Sequence, residues 1–168
     1  MLTKNFYSYM HAAFSAAGKV ITFVKTDGTT ESLRYSNSFA PFTVMAKWSV
    51  NNTGFGVSFG TGTRPAAVSD YSIESMLGDT QINVVDPSEV SFSRGDTFDE
   101  YSASFGVTNI TDEPITISEV GLTVSVANGS YNYRVLVDRT VLDVPITIQP
   151  NETKHIAYTI RFNYGDAV

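Results

Sequence analysis

From Tyr101 to Tyr164, apolar and polar residues alternate almost without a break. Tyr101, Ala103, Phe105 and Val107 fall on one phase, with Ser102, Ser104, Gly106 and Thr108 on the other. Ile156, Tyr158, Ile160, Phe162 and Tyr164 repeat the pattern against Ala157, Thr159, Arg161 and Asn163. A period of two marks a strand with one buried and one wet face. The spacing predicts strands at 101–110, 115–126, 131–139, 144–148 and 154–164, with turns at Thr111-Asp112-Glu113-Pro114, Asn128-Gly129 and Pro150-Asn151-Glu152. Ile115 and Ile117 sit on odd positions, whereas Val120, Leu122, Val124 and Val126 sit on even ones. Because a slip of one residue turns every side chain over, a β-bulge near Ser118–Gly121, eased by Gly121, is expected.

The first half carries the one helical pattern. Leu2, Phe6, Tyr9, Met10, Ala13 and Phe14 recur at spacings of three and four, predicting a helix over 3–17 with Thr3 as its cap and Gly18 at its end. That helix either lies across the edge of the sheets or forms an arm that docks on a neighbouring subunit. Asp27-Gly28 between apolar runs at 20–25 and 29–35 predicts a hairpin. Residues 36–42 read as loop, 43–50 and 55–59 as strands, 60–70 as a Gly/Thr/Pro-rich loop and 71–77 as a single helical turn. Short strands are expected at 82–85 and 90–92. The elements add up to an all-β chain, an antiparallel β-sandwich of jelly-roll or Ig-like type with one N-terminal α-helix, forming a single domain over 1–168.

Composition narrows the function classes. With Cys 0, thiolate chemistry and disulfide staples are excluded. The net charge is −6 and the eleven Lys and Arg are scattered singly, so nucleic acid is not the expected partner. No run of about 18 apolar residues could span a membrane as a helix. Tyr7, Ser8 and His11 interrupt any signal-peptide core, which makes a cytoplasmic product the default expectation.

Candidate chemistry is sparse. Gly56-Val57-Ser58-Phe59-Gly60 matches the letters of a nucleophile elbow, but Ser58 alternates with Val57 and Phe59 as in a strand, whereas the elbow needs a strand-to-helix turn. Gly54, Gly56, Gly60 and Gly62 lack the Lys-Ser/Thr of a phosphate loop and read as sites of close backbone approach. Asp96, Asp99 and Glu100, like Asp112 and Glu113, read as solvated turns rather than a calcium site. The histidines, His11 and His155, have no evident nucleophile beside them. Asn51, Asn109, Asn128 and Asn151 each head an N-x-Ser/Thr triplet, read as chance in an Asn- and Thr-rich chain. Arg139 continues the apolar phase of Tyr131, Tyr133, Val135 and Val137. Its guanidinium should therefore enter the end of the core and need a partner, for which Glu119 is the candidate. The expectation is a protein with no catalytic residue, no metal and no cofactor.

Three blocks carry a family resemblance. They are Leu2-Thr3-Lys4-Asn5-Phe6-Tyr7 before a helix; Phe59-Gly60-Thr61-Gly62-Thr63-Arg64-Pro65 followed by Asp70-Tyr71-Ser72-Ile73-Glu74; and Ile117-Ser118-Glu119-Val120-Gly121-Leu122, Arg139-Thr140-Val141-Leu142 and Pro145-Ile146-Thr147-Ile148-Gln149-Pro150-Asn151-Glu152-Thr153. In this order the chain resembles small β-rich structural proteins of tailed-bacteriophage particles. Asn151 stands where that group commonly has glycine, a change that Asn tolerates. The resemblance implies a non-enzymatic virion component of capsid-decoration, collar or tail type, made in the host cytoplasm. It would act as a homo-oligomer among other phage structural proteins, with no nucleic acid or membrane partner. The side chains expected to meet neighbours are Phe6, Tyr9, Phe39, Phe42, Arg64 and Tyr71, aromatic or arginine as interface centres favour. The alternative is a tail-tip or collar adhesin for host carbohydrate.

Overall fold

The computed structural model describes residues 1–8, 20–34, 56–85, 90–128 and 131–163. It is an all-β fold of antiparallel sheets with one short helix, α1, over 4–8 near the N-terminus. Among the described residues the strands are β1 (Val20–Val24), β2 (Thr30–Arg34), β3 (Gly56–Gly60), β4 (Ile82–Val85), β5 (Val90–Arg94), β6 (Phe98–Asn109), β7 (Ile115–Asn128), β8 (Tyr131–Ile148) and β9 (Thr153–Asn163). The chain forms two compact units, Met1–Leu77 with Thr116–Thr147, and Gly78–Ile115 with Ile148–Val168.

In the second unit the alternation read from the sequence is realised directly. β9 pairs along all of β6 from Phe98↔Asn163 to Thr108↔Thr153, while β5 and β4 pair in turn with the other side of β6. Ala103, Phe105, Val107, Ile156, Tyr158 and Ile160 are buried, whereas Ser104, Ala157, Thr159 and Arg161 face water. Burying each large apolar side chain contributes roughly 1.5–3 kcal/mol. Hydroxyl pairs cross the wet face, Ser102 to Thr159 at 2.8 Å and Thr108 to Thr153 at 2.7 Å. The turn after β6 is built by buried Asn109. Its amide donates to the carbonyls of Glu113 and Ile148 at 2.8 and 3.0 Å, and its Oδ1 accepts from the backbone and hydroxyl of Thr111. The Asn109-Ile110-Thr111 triplet is therefore an Asx turn with a structural cause. Asn151 has φ 59°, the left-handed conformation its side chain tolerates, and turns β8 into β9.

In the first unit β1 and β2 form the hairpin, and β3, β7 and β8 form a sheet in that order. Of the two turn residues Gly28 takes positive φ, at 81°, and donates to the Lys25 carbonyl at 2.8 Å. Asp27 instead accepts from Thr29 N and Oγ1 at 2.8 and 2.6 Å, so only one of the two turn residues uses the left-handed region. The first residues run beside β8: Leu2 bridges Asp138, and Thr3 N donates to the Val137 carbonyl at 3.0 Å. Thr3 directly precedes α1, but its side chain does not act as the expected cap. Its carbonyl accepts from Phe6 N at 3.1 Å and its hydroxyl donates to the Leu136 carbonyl at 2.6 Å. The helix predicted over 3–17 is described only to residue 8; 9–18 and the strand expected at 43–50 lie outside the described residues.

Three expectations need correction. Against β3, β7 runs unbroken from Gly56↔Thr123 to Gly60↔Glu119, with no extra residue on that side between Glu119 and Gly121, where the bulge was placed. The shift of phase arises because every residue from Ile117 to Val124 is buried, so both faces of β7 are covered and neither phase marks the outside. Residues 71–77 form no helical turn. Thr61 N donates to the Ser75 carbonyl and Leu77 N to the Phe59 carbonyl, both at 2.9 Å, and these long-range bonds take groups a helix would use. Finally, 131–139 and 144–148 belong to one strand, β8, which continues through Thr140–Asp143.

Candidate functional site

Arg139 is fully buried, as is Glu119, and Arg139 Nε donates to Glu119 Oε2 at 2.8 Å. The partner expected from the phase of β8 is the partner found. Two more carboxylates complete the cluster: Arg139 Nη1 donates to Asp70 Oδ2 at 2.9 Å, and Nη2 lies 3.4 Å from Glu74 Oε2. Arg64 Nη2 reaches the other oxygen of Asp70 at 2.8 Å. Three backbone N–H groups fill the remaining positions of Glu119: Gly62 at 3.1 Å and Ser75 at 2.7 Å to Oε1, and Glu74 at 3.1 Å to Oε2. A carboxylate taken from water needs this many partners to stay charged.

The glycines make the approach possible. A Cβ on Gly60 would stand 2.6 Å from both Glu119 Oε1 and the Ser75 carbonyl, and one on Gly62 would meet Glu119 and Glu74. Gly121, expected to ease a bulge, instead leaves room for Ile73, whose Cγ1 would lie 3.0 Å from an added Cβ.

Electrostatically the cluster is set for full charge. Burial pushes the Asp70 carboxyl up, but the Ala67 N–H and the Arg64 and Arg139 guanidinium groups outweigh it and hold the group below the ordinary carboxylate value. Burial likewise opposes the charge on Arg139, and Glu119 and Asp70 outweigh it, raising its pKa. A locked ion cluster of this kind fixes chain positions.

The remaining candidates for chemistry are placed as follows. Ser58 is buried within β3 opposite Gly121, so it does not top a strand-to-helix turn. His155 is exposed on β9 opposite Gly106, and His11 lies outside the described residues. Asp99 accepts from Arg94 at 2.7 Å and Glu100 from Arg161 at 2.8 Å. Of the side chains expected at an interface, Phe6 is buried, Arg64 pairs with Asp70, and Tyr71 is 43% exposed. Tyr9, Phe39 and Phe42 lie outside the described residues. Two exposed aromatics not singled out from the sequence, Phe92 and Tyr101, face each other on β5 and β6 with ring centroids 4.9 Å apart. Tyr101 lies on the inward phase of β6, which is why alternation alone assigned it to the core.

A depression of about 210 Å³ also opens in the first unit. Among the described residues it is lined by four hydroxyl residues (Thr26, Ser58, Ser72, Thr123), Arg134 and the apolar Ile73 and Met76. They come from five separated stretches of chain, and no spacing rule could have joined them.

No protein family matches this chain, and neither does any curated protein or solved structure.

Proposed function

We propose that this chain is a non-enzymatic structural protein of tailed-bacteriophage particles, binding an oligomeric capsid or tail assembly through surface complementarity. One observation supports the reading above the others. Two of the three blocks that resemble phage structural proteins converge on the Arg139 cluster: Gly60, Gly62, Arg64, Asp70 and Glu74 from the second, Glu119 and Arg139 from the third. Their polar residues serve to shape a loop, as a scaffold protein requires. Exposed Tyr71, Phe92 and Tyr101 are of the type enriched at contact centres. Copies that bind only the assembled lattice would stabilise it by mass action. A stable contact would bury on the order of 800 Å² on each partner.

The test is to count the protein on purified particles by quantitative mass spectrometry. Hundreds of copies would indicate decoration of the head, and about a dozen or fewer a neck or tail position. Absence from the particles would end the virion reading. A second reading, a tail-tip or collar adhesin for host carbohydrate, is favoured by the hydroxyl-lined depression. A glycan array would separate the two.

A further inference from the structure

At one end of the second unit's sheet the core-facing phase runs out into water. On β6 this phase reads Phe105 and Ala103, both buried, and then Tyr101, 39% exposed. On β9 it reads Ile156, Tyr158 and Ile160, all buried, and then half-buried Phe162. β5 sets Phe92, 51% exposed, directly opposite Tyr101. Rings from three adjacent strands thus form one patch. Phe92 and Tyr101 have centroids 4.9 Å apart at 47°, and Tyr101 and Phe162 lie 6.4 Å apart at 80°. Rings tilted this much cannot all show the same aspect, so the patch offers both ring faces and ring edges, which attract each other.

The polar groups beside the rings narrow the occupant. Arg94 holds both oxygens of Asp99, at 2.7 and 2.9 Å, and its guanidinium lies 5.5 Å from the centre of the Phe92 ring. A sugar stacked on these rings needs a carboxylate to accept from its hydroxyls, and the adjacent one is already engaged. A second copy of the chain needs something else, a face carrying both signs of charge, because a two-fold axis then lets each sign meet its opposite. Arg94 and Asp99 supply both signs on the face that bears the rings, and their own pair stays intact in each copy. An axis running between β5 and β6 would lay Phe92 of one copy over Tyr101 of the other, with Arg94 of one nearest Asp99 of the other. Half-exposed Phe92 and Tyr101 together present on the order of 200 Å², against about 800 Å² per partner in a standard contact. They are therefore the centre of a reversible contact, not an obligate one.

We propose that the Phe92–Tyr101–Phe162 patch is a self-association surface, docking face to face on the same patch of a second copy of this chain. The inference rests on the patch and does not depend on where, or whether, the protein sits on a particle. It is tested by sedimentation equilibrium of the full chain from about 1 µM to 1 mM. The unaltered chain should show a reversible monomer–dimer equilibrium with Kd of about 10–300 µM. Phe92→Ser and Tyr101→Ser should each raise Kd about tenfold or more. Thermal midpoints within about 5 °C of the unaltered chain, read at low concentration, separate loss of docking from loss of fold. Arg94→Glu and Asp99→Arg each leave a single sign of charge beside the rings and should also weaken association. An equimolar mixture of those two variants should associate more tightly than either alone, since the two faces then carry opposite charge. A chain that stays monomeric to about 1 mM, whether its patch takes a sugar, another protein or nothing, overturns the proposal. So does association that folded Phe92→Ser and Tyr101→Ser leave unchanged, or a mixture no tighter than its components.

Discussion

Along β6 and β9 the inward side chains are Ala103, Phe105, Val107, Ile156, Tyr158 and Ile160; around Arg139 they are Asp70, Glu74 and Glu119. The ladder is held by many interchangeable apolar contacts, and trimming one of them weakens the fold in proportion to the volume removed. The ion cluster is held by complementarity, so removing one member strands the others in a place with little water. The first arrangement suits a sheet whose strands are paired along their whole length. The second suits a loop, 61–77, that has little regular backbone pairing of its own and is fastened from outside through Glu119.

Deleting one half of the buried pair should produce the largest effect. Glu119→Ala leaves the buried Arg139 Nε and three backbone N–H groups without their acceptor, and should cost about 3–5 kcal/mol in denaturant unfolding. Phe105→Ala should cost a similar amount, about 3–5 kcal/mol, for a different reason, a cavity in the ladder. The two variants separate when Arg139 and its acids are replaced together by apolar residues of similar size. Such a combined variant should regain much of the Glu119→Ala loss, whereas no charge change rescues Phe105→Ala.

Acid sharpens the same contrast. The folded-state pKa of Asp70 is depressed, so the unfolded chain takes up its proton first as pH falls. Its contribution is fully present above the ordinary carboxylate value of about 3.9 and is lost as pH drops from there through the lower folded value. Asp70→Asn should flatten that part of the stability profile, while Phe105→Ala should shift the profile down without changing its shape. The smallest effect is expected on the wet face of the ladder. Arg161 pairs with Glu100 at 2.6 Å but is half exposed, and Arg161→Ala should change stability by no more than about 1 kcal/mol, less in high salt.

These regions also differ in how far they can be read from the chain. Alternation marked β6 and β9 because one face of each is wet and the other dry. It misjudged β7, where Ser118, Glu119 and Thr123 are as buried as Ile117 and Leu122, so polarity no longer reports exposure. The Glu119–Arg139 pair was legible because Arg139 interrupts a run of apolar residues on one phase. Asp70 and Glu74 were not, since a loop has no period to place them. The same gap hid the fate of 71–77, whose helix-like composition is overridden when Glu119 takes the N–H groups of Glu74 and Ser75. Tyr101 shows the converse error: it keeps the inward phase at the end of the sheet, where it is 39% exposed.

Native-state amide exchange at Gly62, Glu74 and Ser75 tests most directly whether Glu119 fastens this loop. All three N–H groups are bonded to its buried carboxylate, so they should exchange as slowly as the β6–β9 ladder amides of Phe105 and Ile156. Exchange at the rate of an open loop, with the ladder still protected, would contradict the account.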